Sequence, residues 1–130
     1  PSVRYLVAEE ILTIHDLEIE KRGGVLGVRD FGLLYSIAER PKMSMMGQEF
    51  YPDVFSKAAA YLEGLATYHV FADGNKRTSF LATAAFLGLN GYDLIISNPK
   101  VVTFVLAVAT KKKSMGDVAA WLKKHSKKIR

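Results

Sequence analysis

At 130 residues, with 49% hydrophobic and 24% charged side chains, the chain can bury roughly two thirds of its unfolded surface around one core, which excludes a disordered or low-complexity protein. The absence of cysteine excludes a disulfide framework and a thiolate nucleophile, and no stretch approaches the roughly 20 apolar residues of a membrane-spanning helix. With no cleavable leader recognisable, a single cytoplasmic domain over residues 1–130 is expected.

Ile11, Leu12, Ile14, His15 and Ile19 recur at mixed spacings of three and four, so a first helix is expected over Val7 to Ile19, stopped by Gly23-Gly24. Asp30 can cap a second helix through Leu33, Leu34 and Ile37, ended by Pro41. From Lys42 to Tyr51 the Met43/Met45 alternation is too short and Gly-interrupted for a helix, and predicts a small hairpin or flap. Pro52 and Asp53 open a third helix whose Val54, Phe55, Ala58, Tyr61, Leu62 and Leu65 form one apolar face to about Tyr68. After a loop from His69 to Gly74, Asn75 is expected to cap a fourth helix through Leu87, closed by Asn90-Gly91. A fifth begins near Pro99 and a sixth runs from about Met115 past Trp121, with Asn or Ser caps. The β-branched run Val101, Val102, Thr103, Val105 could be strand on composition, but its length favours buried helix. The fold class predicted is therefore all-α: a compact bundle of about six helices with a short flap near residues 42–50.

The net charge is +5, and the positive excess crowds into the last twenty residues, where Lys111 to Lys113, Lys123, Lys124, Lys127, Lys128 and Arg130 face only Asp117, while the rest of the chain is close to neutral. This end reads as a solvated helix terminus, with contact to nucleic acid or an acidic partner as the other reading.

The chemistry concentrates between His69 and Phe80. A helix N-terminus carries free N–H groups and partial positive charge, so Lys76 and Arg77 in the first turn are electrostatically misplaced unless an anion joins them. Amides of Gly74 to Arg77, the Asn75 side chain and the two cations would form a donor array suited to phosphate, and Gly74 would let a ligand approach the backbone. Asn75 can also be a plain cap and Asp73 a plain turn residue. Beside phosphate-binding cations, though, Asp73 is placed to hold a magnesium ion, which takes one or two carboxylates with phosphate oxygens and water. A neutral His69 could accept a proton from an incoming hydroxyl, and Phe71 is the expected apolar anchor of the loop. His15-Asp16 invites comparison with His-Asp metal phosphohydrolases, but the further ligands these need are missing, and His15 is read as structural, at the core edge. No nucleophile elbow or Walker loop is present.

The run His69-Val-Phe71-Ala-Asp73-Gly74-Asn75-Lys76-Arg77 resembles the signature loop of the Fic/Doc family, in its death-on-curing (Doc) branch. The resemblance continues through the His15-Asp16 helix, Gly23-Gly24, Gly27, Arg29-Asp30, Leu33-Leu34 and Pro41 to the closing helices, and implies the same all-α fold. AMP-transferring Fic proteins typically carry His-Pro-Phe-x-x-Gly-Asn-Gly-Arg-x-x-Arg; here Lys76 replaces the second signature glycine and Phe80 the second arginine. Doc-type toxins share the lysine. The resemblance thus implies transfer of the ATP γ-phosphate to a protein hydroxyl, with His69 as base, Asp73 holding Mg2+, and Asn75, Lys76 and Arg77 stabilising the phosphoryl group. It further implies the toxin of a toxin–antitoxin pair, phosphorylating a threonine of elongation factor Tu and restrained by an antitoxin whose C-terminal segment folds into a groove as a helix. Operator DNA would be met only through that complex. No self-inhibitory Ser/Thr-x-x-x-Glu-Gly motif occurs, since Glu63-Gly64 is preceded four residues earlier by Ala59. AMP transfer and a non-catalytic antitoxin/DNA-binding module remain the alternative readings.

Overall fold

The computed structural model describes residues 2–129. Its elements are α1 (Ala8–Arg22), α2 (Phe31–Glu39), a 3-10 turn (Arg40–Lys42), β1 (Ser44–Met45), β2 (Gln48–Glu49), α3 (Val54–Thr67), α4 (Asn75–Leu89), β3 (Tyr92–Leu94), α5 (Asn98–Ala109), α6 (Met115–Lys124) and β4 (Ser126–Lys128). The expected six helices are all present, and the β-branched run lies within α5.

Helix α3 is the axis of the fold. Ten of its fourteen residues are buried, as a helix surrounded on all sides requires, and it packs on α2, α4, α5 and α6. Asp53 caps it, accepting from the Phe55 and Ser56 amides at 2.9 Å. Its alanines, Ala58, Ala59 and Ala60, let neighbours approach, and Gly64 does so most directly: a Cβ there would lie 3.0 Å from Ile37 Cγ2 of α2. The buried Tyr61 hydroxyl donates to the Leu6 carbonyl at 3.1 Å, and the Leu6 amide approaches it at 3.0 Å, tying the segment before α1 to the axis. Burial pushes that phenol up from its ordinary pKa.

The expected flap is the β1–β2 hairpin, whose Met46 and Gly47 both adopt the positive φ that a tight two-residue turn needs. It is moored to α3 by a charged side chain among that helix's buried residues. The buried Lys57 ammonium donates to Glu49 Oε1 at 2.7 Å and to the Tyr51 carbonyl. Arg40 adds a second strut, donating to Glu63 Oε1 at 2.5 Å and to the Tyr51 hydroxyl at 2.8 Å.

Two expectations need correction. Asn75 is not the cap of α4: Gly74, in the left-handed region at φ 76°, occupies that place, and Asn75 is the first helical residue. The basic end is not wholly a helix terminus either. Beyond α6, Ser126–Lys128 form β4, antiparallel to β3 with Tyr92 opposite Lys128 and Leu94 opposite Ser126. Tyr92 sits edge-on to Phe55 at 4.9 Å, so this second hairpin closes over the start of α3.

Candidate active site

The loop between α3 and α4 is built by its neighbours more than by itself. Tyr68 leaves helical geometry at φ −99°, ψ 116°, and ends α3. The chain then runs beside the strap that follows α1. Arg29 donates its amide to the Val70 carbonyl at 2.7 Å, Ala72 donates to the Gly27 carbonyl at 3.0 Å, and Val28 and Phe71 form an antiparallel bridge. Asn75 turns its side chain back into the loop, where Oδ1 accepts from the Phe71 amide and Nδ2 donates to the Phe71 carbonyl, both at 2.9 Å. The residue expected to cap the helix therefore closes the loop.

Beneath the loop lies α1. Phe71, 1% exposed, stacks face to face on His15 with ring centroids 3.8 Å apart and planes 8° from parallel. His15 is wholly buried rather than at the core edge. Its Nε2 donates to the Asp73 carbonyl at 2.7 Å, since a carbonyl can only accept, and its Nδ1 lies 2.9 Å from Asp16 Oδ1.

Asp73 is held from both sides. Its Oδ2 accepts from the Val25 amide at 3.1 Å and its Oδ1 from the Gly74 amide at 2.8 Å. The Val25 amide, then the Gly74 amide, keep its carboxyl below the ordinary pKa against the cost of desolvation, with lesser help from the charges of Arg77 and His15. Two glycines make room for this. A Cβ on Gly24 (φ 129°) would lie 2.7 Å from Asp73 Oδ2, and one on Gly74 would lie 3.0 Å from Ile19 Cδ1.

The first helical bond of α4 runs from the Thr78 amide to the Gly74 carbonyl at 2.9 Å. The amides of Asn75, Lys76 and Arg77 precede it and point out of the helix end, where no side chain caps them. The Gly74 amide, by contrast, is occupied by Asp73 and drops out of the expected donor array. Lys76 is exposed, and no ion pair or side-chain hydrogen bond engages its ammonium among the described residues. Arg77 is half-buried: Nη1 lies 3.5 Å from Glu18 Oε2 and Nη2 donates to the Gly23 carbonyl at 3.3 Å. His69 is exposed at the loop's edge, its ring unpaired among the described residues.

This arrangement presents an ionised carboxylate, free helix-end amides, two cations and an exposed imidazole on one short loop and the helix that follows it. It suits an anionic, phosphate-bearing ligand. A groove of about 490 Å3 opens beside it between α4 and α5, with Phe80, Leu81, Val101, Val105 and Leu106 on its walls and Glu18, Arg22, Lys76 and Arg77 at its rim.

The sequence model of the Fic/DOC family matches residues 5–87, which takes in α1 to α3, the whole loop and all but the last two residues of α4. The chain belongs to the Fic/Doc family. Among its Fic/Doc relatives is a protein named Toxin Doc from Mycolicibacterium smegmatis (strain ATCC 700084 / mc(2)155), 43% identical over 90 residues, which are 69% of this chain and 67% of the relative. Another, named Protein kinase doc, from Escherichia phage P1, is 31% identical over 122 residues, 94% of this chain and 95% of the relative. The expected membership and the all-α Fic/Doc architecture are thus both found, and no helix among the described residues is long and apolar enough to cross a membrane.

Three contributors to this Fic/Doc loop escape a reading of the signature alone: Glu18 on Arg77, the Val25 amide on Asp73, and His15 on the Asp73 carbonyl. A signal was available. His15, Glu18, Ile19 and Arg22 recur at three, four and seven on α1, a stripe mixing polar and apolar residues that faces the loop.

Proposed function

We propose that this protein is the toxin of a toxin–antitoxin pair and transfers the γ-phosphate of ATP to a serine or threonine hydroxyl of a protein, with elongation factor Tu as the acceptor. The observation that carries this reading is Lys76: exposed and, among the described residues, unpaired, it sits on the first turn of α4 beside three free amides, a place that only an anionic ligand makes favourable. The relatives named Toxin Doc and Protein kinase doc support the toxin and kinase assignments respectively.

His69 accepts the proton of the acceptor hydroxyl as its oxygen bonds to the γ-phosphorus. The bond from that phosphorus to the β–γ bridging oxygen breaks, and ADP leaves with the electron pair. Lys76, Arg77 and the amides of Asn75 to Arg77 hold the phosphate oxygens while charge redistributes, which is where most of the rate of phosphoryl transfer arises. The Asn75 side chain contributes by fixing the loop. Asp73 fits a magnesium ion shared with phosphates: it is ionised, partly exposed, and each oxygen accepts only one hydrogen bond from the protein. Bound there, Mg2+ would neutralise phosphate charge. Among the described residues no group of three His, Asp or Glu side chains could hold a metal without such shared ligands.

The groove between α4 and α5 supports an antitoxin helix as partner, since its walls suit an apolar helical face and its rim is rich in cations. DNA would be reached through that complex. Exposed Met43 and Met45, beside and on β1 of the hairpin, support docking of the acceptor segment by strand addition. The test is incubation with a bacterial lysate and ATP labelled at either the α or the γ position. Label arriving on one protein from the γ position only, and lost with His69→Ala, is expected. Label from the α position only would replace this reading with AMP transfer, and no label, with no growth arrest on expression, would replace it with a non-catalytic binding module.

A further inference from the structure

We infer that His15 is a positioning residue of the metal–phosphate site, fixing Asp73 through its backbone carbonyl; the inference rests on the magnesium role proposed for Asp73. A buried polar ring is costly unless its nitrogens are paired, and a leucine or phenylalanine would fill the same volume without that cost. His15 is wholly buried on α1, and both its nitrogens have partners. One of those partners is the peptide carbonyl of the very residue whose carboxylate faces the phosphate site. The 2.7 Å bond from Nε2 holds Asp73 from below, while the Val25 and Gly74 amides hold its carboxylate from above. Together they leave the residue no free rotation.

The remaining contacts serve the same end. Asp16 Oδ1, 2.9 Å from Nδ1, holds the opposite edge of the ring, so that Nε2 faces the carbonyl. Phe71 stacks on the ring at 3.8 Å and blocks its tilting. Ile19, one turn along α1, lies against the two glycines that flank Asp73 in space, so the same helix face supplies both the donor and the floor. His15 touches neither ATP nor the acceptor in this scheme and acts through Asp73.

Glutamine can place an amide donor near the position of Nε2, asparagine only near that of Nδ1, and leucine offers none. His15→Gln, His15→Asn and His15→Leu are therefore compared with the wild-type chain by three measurements: affinity for ATP with and without magnesium by calorimetry, hydrogen exchange of the Gly74 amide, and γ-phosphate transfer. Loss of an orienting partner typically costs a metal site about 10- to 100-fold in affinity. His15→Leu and His15→Asn should lose at least about tenfold in magnesium–ATP affinity, leave ATP binding without magnesium within about threefold, and speed exchange at Gly74. His15→Gln should stay within about threefold of wild type on all measures. Should His15→Leu fail to fold, the comparison of His15→Gln with His15→Asn carries the test. The inference is overturned if the folded Leu or Asn variant keeps the magnesium-dependent gain in affinity, or if the Gln variant falls as far as they do. The two readings separate: a wild type that gains affinity with magnesium but transfers no γ-phosphate, with the gain lost in His15→Leu, sinks the proposed reaction and leaves the role of His15 standing.

Discussion

Replacing Gly24 with alanine sets two demands of the strap against each other: its positive φ and its approach to Asp73. At φ 129°, alanine costs about 1–3 kcal/mol for the backbone alone. Its Cβ would also lie 2.7 Å from Asp73 Oδ2 and 2.8 Å from Ile19 Cδ1. Both are ends of side chains and can yield, which places the overpacking near the low end of its range, about 1 kcal/mol. The sum, about 2–4 kcal/mol, corresponds to a fall of roughly 10 °C in melting temperature for a chain of this size. Gly23→Ala is the internal control. Gly23 also has a positive φ (87°, with ψ 165°), but a Cβ there meets nothing within 4 Å, so its cost is about 1–3 kcal/mol of backbone strain alone. Calorimetric melting gives the first comparison, and NMR titration of the Asp73 carboxyl the second. In Gly24→Ala the displaced carboxylate loses the Val25 amide and its pKa rises toward the ordinary 3.8; in Gly23→Ala it stays where it was. Equal melting of the two variants, with Asp73 titrating as in wild type in both, would refute the reasoning.

Three further outcomes follow from the same structure. Asp73 binds its proton more weakly folded than unfolded, so it adds stability that is fully present above the ordinary value of 3.8 and is lost as pH falls through its lower folded pKa; Asp73→Asn should flatten part of the acid limb of a stability–pH curve, and an unchanged limb would contradict the contacts described. Lys57→Met removes the buried ammonium that moors the β1–β2 hairpin, while the partly exposed Glu49 regains water; overall stability should change by less than about 1.5 kcal/mol while amide exchange in residues 44–49 accelerates, and unchanged exchange would show that the mooring is dispensable. Lys76→Ala should lower phosphate transfer by about 10²-fold with stability within about 0.5 kcal/mol of wild type, measured by turnover and urea unfolding, because its side chain is exposed and supports nothing else.

Local chemistry made most of the helices legible. Asp30 and Asp53 each cap the helix that their position announced, accepting from the Leu33 and Phe55 amides, and the Asn or Ser caps expected of the last two helices are met at α6 by Ser114, which accepts from the Asp117 amide, but not at α5, where Ser97 makes no side-chain bond. The β3–β4 hairpin was hidden because Ser126-Lys127-Lys128 has little strand propensity; only its pairing with residues 92–94 and the burial of Tyr92 against Phe55 make it a strand. Asn75 was misplaced by one position because a left-handed glycine competed for the cap, freeing the amide to fold back on Phe71. At the site, the signature named the exposed groups, but the supports of Asp73 and Arg77 come from α1 and the strap, separated from the loop by some fifty residues of chain. Sequence proximity carries no trace of such contacts. Only the stripe of His15, Glu18, Ile19 and Arg22 hinted that a face of α1 was reserved for them.

The pairing of β3 with β4 has a mechanical consequence for the groove. Residues 95–125, which contain α5 and α6 packed on α3, form one length of chain closed at its two ends by the same two-stranded base, so neither helix has a free end about which to swing. The wall formed by Val101, Val105 and Leu106 is thereby held at a set distance from α4. A helix entering between them would find a slot already cut to width and could spend its binding energy on contact rather than on prising the walls apart.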